Sequence, residues 1–215
     1  MMTTNKLTKT FASGSLAIGV LAGSVLTATS ASAVTLTWAA WTGGTPLEEL
    51  GLDKKVTYVS HNGIGFAADD EVMLTQMGDH YYFVYDAMKG SSPANNSGGS
   101  FTYEIEVIGS PKSIVGVDLD SNVTSNYGTV TETFAEIPNV LVSTNGSPDP
   151  ASGFYPIAPK KLLTVTNTLT DPAGPTEGLF QLQNSFHQSV PEPGTILGLL
   201  AVGGLGLVSR FKKQK

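Results

Sequence analysis

Cysteine is absent from all 215 residues, which excludes a disulfide framework, a thiolate zinc site and a cysteine nucleophile. Charge is sparse, at 14% Asp, Glu, Lys and Arg. Basic residues are scarcest in the middle of the chain. Residues 34–190 hold only six lysines, Lys54, Lys55, Lys89, Lys112, Lys160 and Lys161, and no arginine. Against 17 Asp and Glu these leave the middle at −11, a value hidden by the whole-chain −6. Such an excess repels phosphate backbones and excludes nucleic acid as a partner. No stretch of the middle carries a long 3.6-residue apolar period, which argues against a helical domain. His61, His80 and His187 stand in no H-x-H or H-E-x-x-H spacing, and no G-x-S-x-G elbow occurs.

What is present is concentrated first at the two ends. Lys6 and Lys9 precede an apolar stretch from Phe11 to Leu26, and Ala31-Ser32-Ala33 follows. Small side chains at −3 and −1 are what a signal peptidase accepts, so Ala31, Ala33 and Val34 mark an expected cut after Ala33. The stretch is shorter than the ~20 residues of a spanning helix, which favours a cleaved secretory signal over an uncleaved anchor.

At the other end stand Val190, Pro191, Glu192 and Pro193, then an uncharged run to Ser209, then Arg210, Lys212, Lys213 and Lys215. Pro191 and Pro193 bar a helix through the motif, so a helix begins near Thr195. Its apolar residues are Ile196, Leu197, Leu199, Leu200, Val202, Leu205, Leu207 and Val208. At ~1.5 Å per residue a helix from Thr195 to Ser209 spans about 22 Å, short of a ~30 Å hydrocarbon core. It reads as a weak membrane anchor. The terminal basic cluster predicts a cytoplasmic C-terminus and an exported middle. The expected organisation is a signal peptide over 1–33, a β-rich extracellular domain over 34–189 and an anchor segment over 190–215.

Pro-Glu-Pro, a short apolar helix and a basic end, in that order at the extreme terminus, resemble the PEP-CTERM sorting signal. The resemblance implies processing by an exosortase near Pro191–Pro193, and a Gram-negative or cyanobacterial envelope, often with exopolysaccharide. The partners implied by the two ends together are signal peptidase, exosortase, the membrane before processing, and envelope exopolysaccharide.

In the middle, Phe101, Tyr103, Ile105 and Val107 alternate with Thr102, Glu104 and Glu106, the period of a half-buried strand. Nine further segments read as strands: 34–38, 56–60, 72–76, 80–87, 113–120, 130–134, 140–143, 161–169 and 178–186. Gly-, Pro-, Asn- and Ser-rich turns separate them. One or two helical turns are expected over 46–54. The pattern predicts an all-β, antiparallel β-sandwich, with a β-barrel as the alternative.

Candidate chemistry in the middle is thin. Asp118, Asp120 and Asn122 form a D-x-D-x-N run that offers alternate oxygens to calcium, although Val123 and Thr129 stand where an EF-hand needs Gly and Glu. A strand end with a polar face is the favoured reading of the run, and calcium the weaker one. Asp69, Asp70 and Glu71 read as a solvated turn. Trp38, Trp41, Tyr81, Tyr82, Tyr85, Tyr127, Phe154 and Tyr155 would stack on sugar rings wherever exposed, and Tyr81 and Tyr82 must point to opposite faces. No catalytic residue and no cofactor is expected. The functional reading is a non-catalytic display, adhesion or exopolysaccharide-associated protein of the cell surface or extracellular matrix. The alternatives are a carbohydrate-binding module and, less favoured, an extracellular hydrolase.

Overall fold

The computed structural model describes residues 32–48, 53–63, 65–89, 95–170, 174 and 176–189. Ala31, the N-terminal apolar stretch and the whole of 190–215, with the sorting motif, anchor and basic cluster, lie outside the described residues.

All ten expected strands form, and two more join them. In chain order they are β1 (Ser32–Thr37), β2 (Leu47–Glu48), β3 (Lys54–Asn62), β4 (Glu71–Met77), β5 (His80–Asp86), β6 (Gly99–Val107), β7 (Ser113–Val123), β8 (Thr129–Phe134), β9 (Val140–Thr144), β10 (Tyr155–Lys160), β11 (Leu162–Leu169) and β12 (Leu179–Ser189). They build two six-stranded sheets, ordered β1-β4-β5-β12-β7-β10 and β2-β3-β6-β11-β8-β9. Every pairing is antiparallel. The expected sandwich is the architecture found.

The helical turns expected over 46–54 are not what the described residues there adopt. Leu47 is wholly buried and pairs with Val56, and Lys54 already opens β3. One buried leucine on a sheet edge is stabilised more by a ladder than by a short isolated helix. The helix lies earlier, as α1 (Trp38–Thr42), where the Thr37 side chain accepts from the Ala40 N–H as an N-cap. β10 was not legible because Pro156 and Pro159 break its period. It lies on a sheet edge, where a missing N–H costs no ladder bond.

Core side chains come from both inner faces, as the alternation requires. Trp38, Trp41, Phe83, Tyr85, Phe101 and Tyr103 are all buried. Within this cluster Phe83 and Tyr103 stack at 4.3 Å between centroids, and Trp38 stacks on half-buried Phe66 at 4.5 Å. Glu104 and Glu106 point outward from β6, as their spacing demands. Asp70 departs from expectation. It is buried, not solvated, because its Oδ2 accepts from the Tyr85 hydroxyl at 2.6 Å and the Ala67 N–H at 2.8 Å. Burial holds its pKa above the usual carboxylate range, and Asp69 beside it pushes the same way.

Register places both chain exits at one end of the sandwich. Ser32 lies level with Gln76, Tyr81 and Phe186, and β12 ends three residues later at Ser189. Ala33 and Val34, the expected cleavage positions, pair with Thr75 and Leu74, so a cut after Ala33 leaves Val34–Thr37 in the ladder. β12 sits between β5 and β7 and is hydrogen-bonded on both sides up to the point of exit. The same end holds the start of β3, the end of β6, the turn into β7 and the turn from β10 to β11. Five lysines lie there, Lys54, Lys55, Lys112, Lys160 and Lys161, beside the described carboxylates Glu48, Asp53, Asp79 and Glu106. Lys89, in a 3-10 turn after β5, lies at the opposite end. The strong negative excess of the domain is therefore elsewhere.

Candidate functional site

The outer face of the first sheet gathers most of the polar residues that sequence reading singled out. On β7, Val117 and Leu119 point into the core and Ser121 bonds to Ser143 across the sandwich at 2.7 Å. Asp118, Asp120 and Asn122 therefore point outward, as strand alternation requires. Each has a partner position on β12: Asp118 faces Ser185, Asp120 faces Gln183, and Asn122 faces Gln181. A shallow depression lies here, lined by Asp120, Ser121, Asn122, Gln181 and Gln183. Gln181 donates onward to Asp86 on β5 at 3.4 Å.

The calcium candidates thus lie on a regular strand. Alternate residues of a strand stand about 6.6 Å apart, so Asp118 and Asn122 are separated by about 13 Å along it. No group of three or more metal-ligating carboxylates and imidazoles occurs among the described residues.

At the end of this face nearest the chain exit, the fold joins groups that sequence spacing kept apart. His80 and His187 are neighbours in register on β5 and β12, with ring centroids 4.0 Å apart. His187 Nε2 lies 3.1 Å from Asp118 Oδ1. Phe154 stacks on the other side of His187 at 3.9 Å. It can do so because Gly116 lies beneath it, where a Cβ would stand 2.1 Å from the Phe154 ring. Burial and the neighbouring His80 pull the His187 pKa below the ordinary imidazole value, against the pull of Asp118. Its Nδ1 is buried and meets no hydrogen-bonding partner among the described residues.

The aromatic candidates divide sharply. Trp38, Trp41, Tyr81, Tyr85 and Tyr127 are core residues, at most 4% exposed. Tyr82 is half-buried on the outer face, opposite Ser185, while Tyr81 points inward as expected. Phe154 and Tyr155 are 41% and 38% exposed, and Tyr155 donates to Asp149 at 2.9 Å. The exposed aromatics therefore border the polar face and do not form a strip of their own. Gln181, Gln183, Ser185 and Gly116 went unnoticed in the sequence because amides, serine and glycine carry no periodic signal until the register is known.

A second polar set lies closed between the sheets. Tyr103 donates to Asn184 Oδ1 at 3.0 Å, and Asn167 and Asn184 exchange hydrogen bonds at 2.9 and 3.1 Å. Glu132, opposite Asn167 in the ladder, is fully buried beside Asn184, and neither carboxyl oxygen makes a well-formed hydrogen bond among the described residues. Burial drives its pKa well above the usual carboxylate range.

The family model described as the PEP-CTERM protein-sorting motif matches residues 189–213. It begins on the last residue of β12, so the motif follows the folded domain without a linker. No curated protein matches the chain.

Proposed function

We propose that this exported protein, whose PEP-CTERM motif assigns it to exosortase sorting and to the cell envelope or surface, is a non-catalytic matrix component. It associates with neutral envelope polysaccharide through the outer face of its first sheet. The observation that carries this reading is the facing ladder of Asp120 with Gln183 and Asn122 with Gln181, bordered by Tyr82 and Phe154. Carboxylates and carboxamides spaced along a strand match the repeated hydroxyls of an extended glycan, donating and accepting at each step. Half-exposed rings at the border supply stacking surface. The face carries Asp86, Asp118 and Asp120, and its strands β5, β7 and β12 hold no lysine, so an anionic polymer is repelled and a neutral one is not.

Affinity electrophoresis of the full chain in detergent through gels containing envelope polysaccharide tests this. Retardation that persists at high salt and is lost on Asp120→Ala together with Gln183→Ala supports it. Equal mobility with and without the polysaccharide would remove the binding role and leave display alone.

A further inference from the structure

Among the described lysines only Lys54 is buried. It opens β3 on the same inward side as Val56, and Gln188 stands near the end of β12 on the inward side of Leu182, Asn184 and Phe186. Two residues 134 positions apart therefore meet between the sheets, Nζ to Oε1 at 2.6 Å. The carboxamide carbon is one C=O bond of about 1.2 Å from that oxygen, so Nζ stands roughly 3–4 Å from the carbon, close to the separation from which an amine attacks a carbonyl.

Two further groups complete the cluster. Asp53 Oδ1 accepts from Lys54 Nζ at 2.7 Å and is itself partly exposed, so it links the buried nitrogen to water. The Tyr81 ring lies 4.4 Å from Nζ, and its hydroxyl lies beside both the Asp53 carboxylate and the Gln188 carboxamide. Gln188 Nε2 is buried and makes no well-formed hydrogen bond among the described residues. The other buried carboxamides, Asn167 and Asn184, bond to each other and to Tyr103 instead of to an amine. Burial brings the Lys54 pKa down to about 8, opposed by Asp53, so a neutral amine is available at mildly alkaline pH.

We propose that Lys54 and Gln188 close a covalent amide cross-link between the two sheets, with Asp53 and Tyr81 moving the protons. Asp53 passes the ammonium proton to water. The freed Nζ electron pair forms a bond to Gln188 Cδ as the carbonyl π pair moves onto Oε1. One Nζ proton then crosses to Nε2 through the Tyr81 hydroxyl, the Cδ–Nε2 bond breaks with its pair on nitrogen, and the carbonyl re-forms. Ammonia leaves and takes up one proton from water, so atoms and charge balance with no oxidant, reductant or cofactor. The titration of Lys54 belongs to the chain before this bond closes. The product holds β3 through β12 in one covalent loop that ends one residue before the last strand does. It depends neither on polysaccharide binding nor on the sorting tail.

Mass spectrometry of the full chain, kept folded in detergent at pH 9, tests this. Expected is a loss equal to one ammonia, together with a branched tryptic peptide that is uncut at Lys54 and joins its segment to the one holding Gln188. The branched peptide is expected to form several-fold faster at pH 9 than at pH 6, and to be absent from Lys54→Met and Gln188→Leu. It should form about tenfold or more slowly in Asp53→Asn or Tyr81→Phe, each shown to be folded by near-ultraviolet circular dichroism. A wild-type chain of unchanged mass with no branched peptide after prolonged incubation overturns the proposal, whatever the variants do. Ammonia loss confined to an Asn-Gly sequence such as Asn145-Gly146 overturns it equally. Cross-linking at the wild-type rate in both folded proton-path variants overturns the roles of Asp53 and Tyr81.

Discussion

Lys54 Nζ reaches Gln188 Oε1 at 2.6 Å, joining the second sheet to the first one residue before the last strand ends. The ammonium is wholly buried, bonded also to Asp53 Oδ1 at 2.7 Å, and lies over the Tyr81 ring at 4.4 Å. The final strand is thus pinned on three sides: by β5, by β7 and by a cross-sheet cation. Ser189 is held to the whole domain and is not a frayed end.

The same pair makes stability depend on pH. Burial lowers the Lys54 pKa from its ordinary value to about 8, opposed by Asp53 and reinforced by Lys112 and Lys161. Between about pH 8 and the ordinary lysine value the unfolded chain binds more protons than the folded one, so this group makes stability rise with pH across that window. Lys54→Met is expected to flatten the rise. Urea midpoints at pH 7.5 and 9.5 for both proteins check it, and parallel curves would refute it.

Glu132 should oppose folding at neutral pH. Its folded pKa is raised, so its contribution is present below the unfolded value and declines as pH rises above it. Glu132→Leu removes a buried carboxyl that must take up a proton to fold, and is expected to raise stability by about 1–3 kcal/mol more at pH 7 than near pH 4. Denaturant titrations at the two pH values measure the difference.

Gly116→Ala should expel the Phe154 ring from its seat, since the new Cβ falls within the ring's own volume. His187 then becomes more hydrated and its pKa moves up toward the ordinary imidazole value. An NMR titration of the His187 ring in both proteins reads the change, and an unshifted midpoint counts against the packing argument.

Calcium is expected to leave thermal stability unchanged, because Asp118, Asp120 and Asn122 offer their oxygens along a strand and not around a point. Melting curves with added calcium and with chelator should superimpose. A rise in Tm with calcium would show that the acidic face reorganises around an ion.

Intact mass of the protein from its native envelope and medium is expected to begin at Val34 and to end near Pro191–Pro193 only in cells with exosortase. Persistence of the tail to Lys215 in both hosts would leave a membrane-anchored β domain.

The sequence by itself determined the parts whose signal is local. Period-two alternation in Phe101–Val107 set the inward and outward faces of β6, turn clusters separated the strands, and Val190–Pro193 with the basic end identified the sorting motif, because each of these depends on neighbours in the chain. Only the tertiary structure decided which distant residues meet. His80 and His187, 107 positions apart, touch because two strands pair in one register. Asp70 is buried because Tyr85, fifteen residues on, presents a hydroxyl to it. Lysines scattered from 54 to 161 gather at one end because each opens or closes a strand there, and antiparallel pairing returns the chain repeatedly to that end. Strand pairing is non-local, so the surface it builds is not written in any one stretch of the chain.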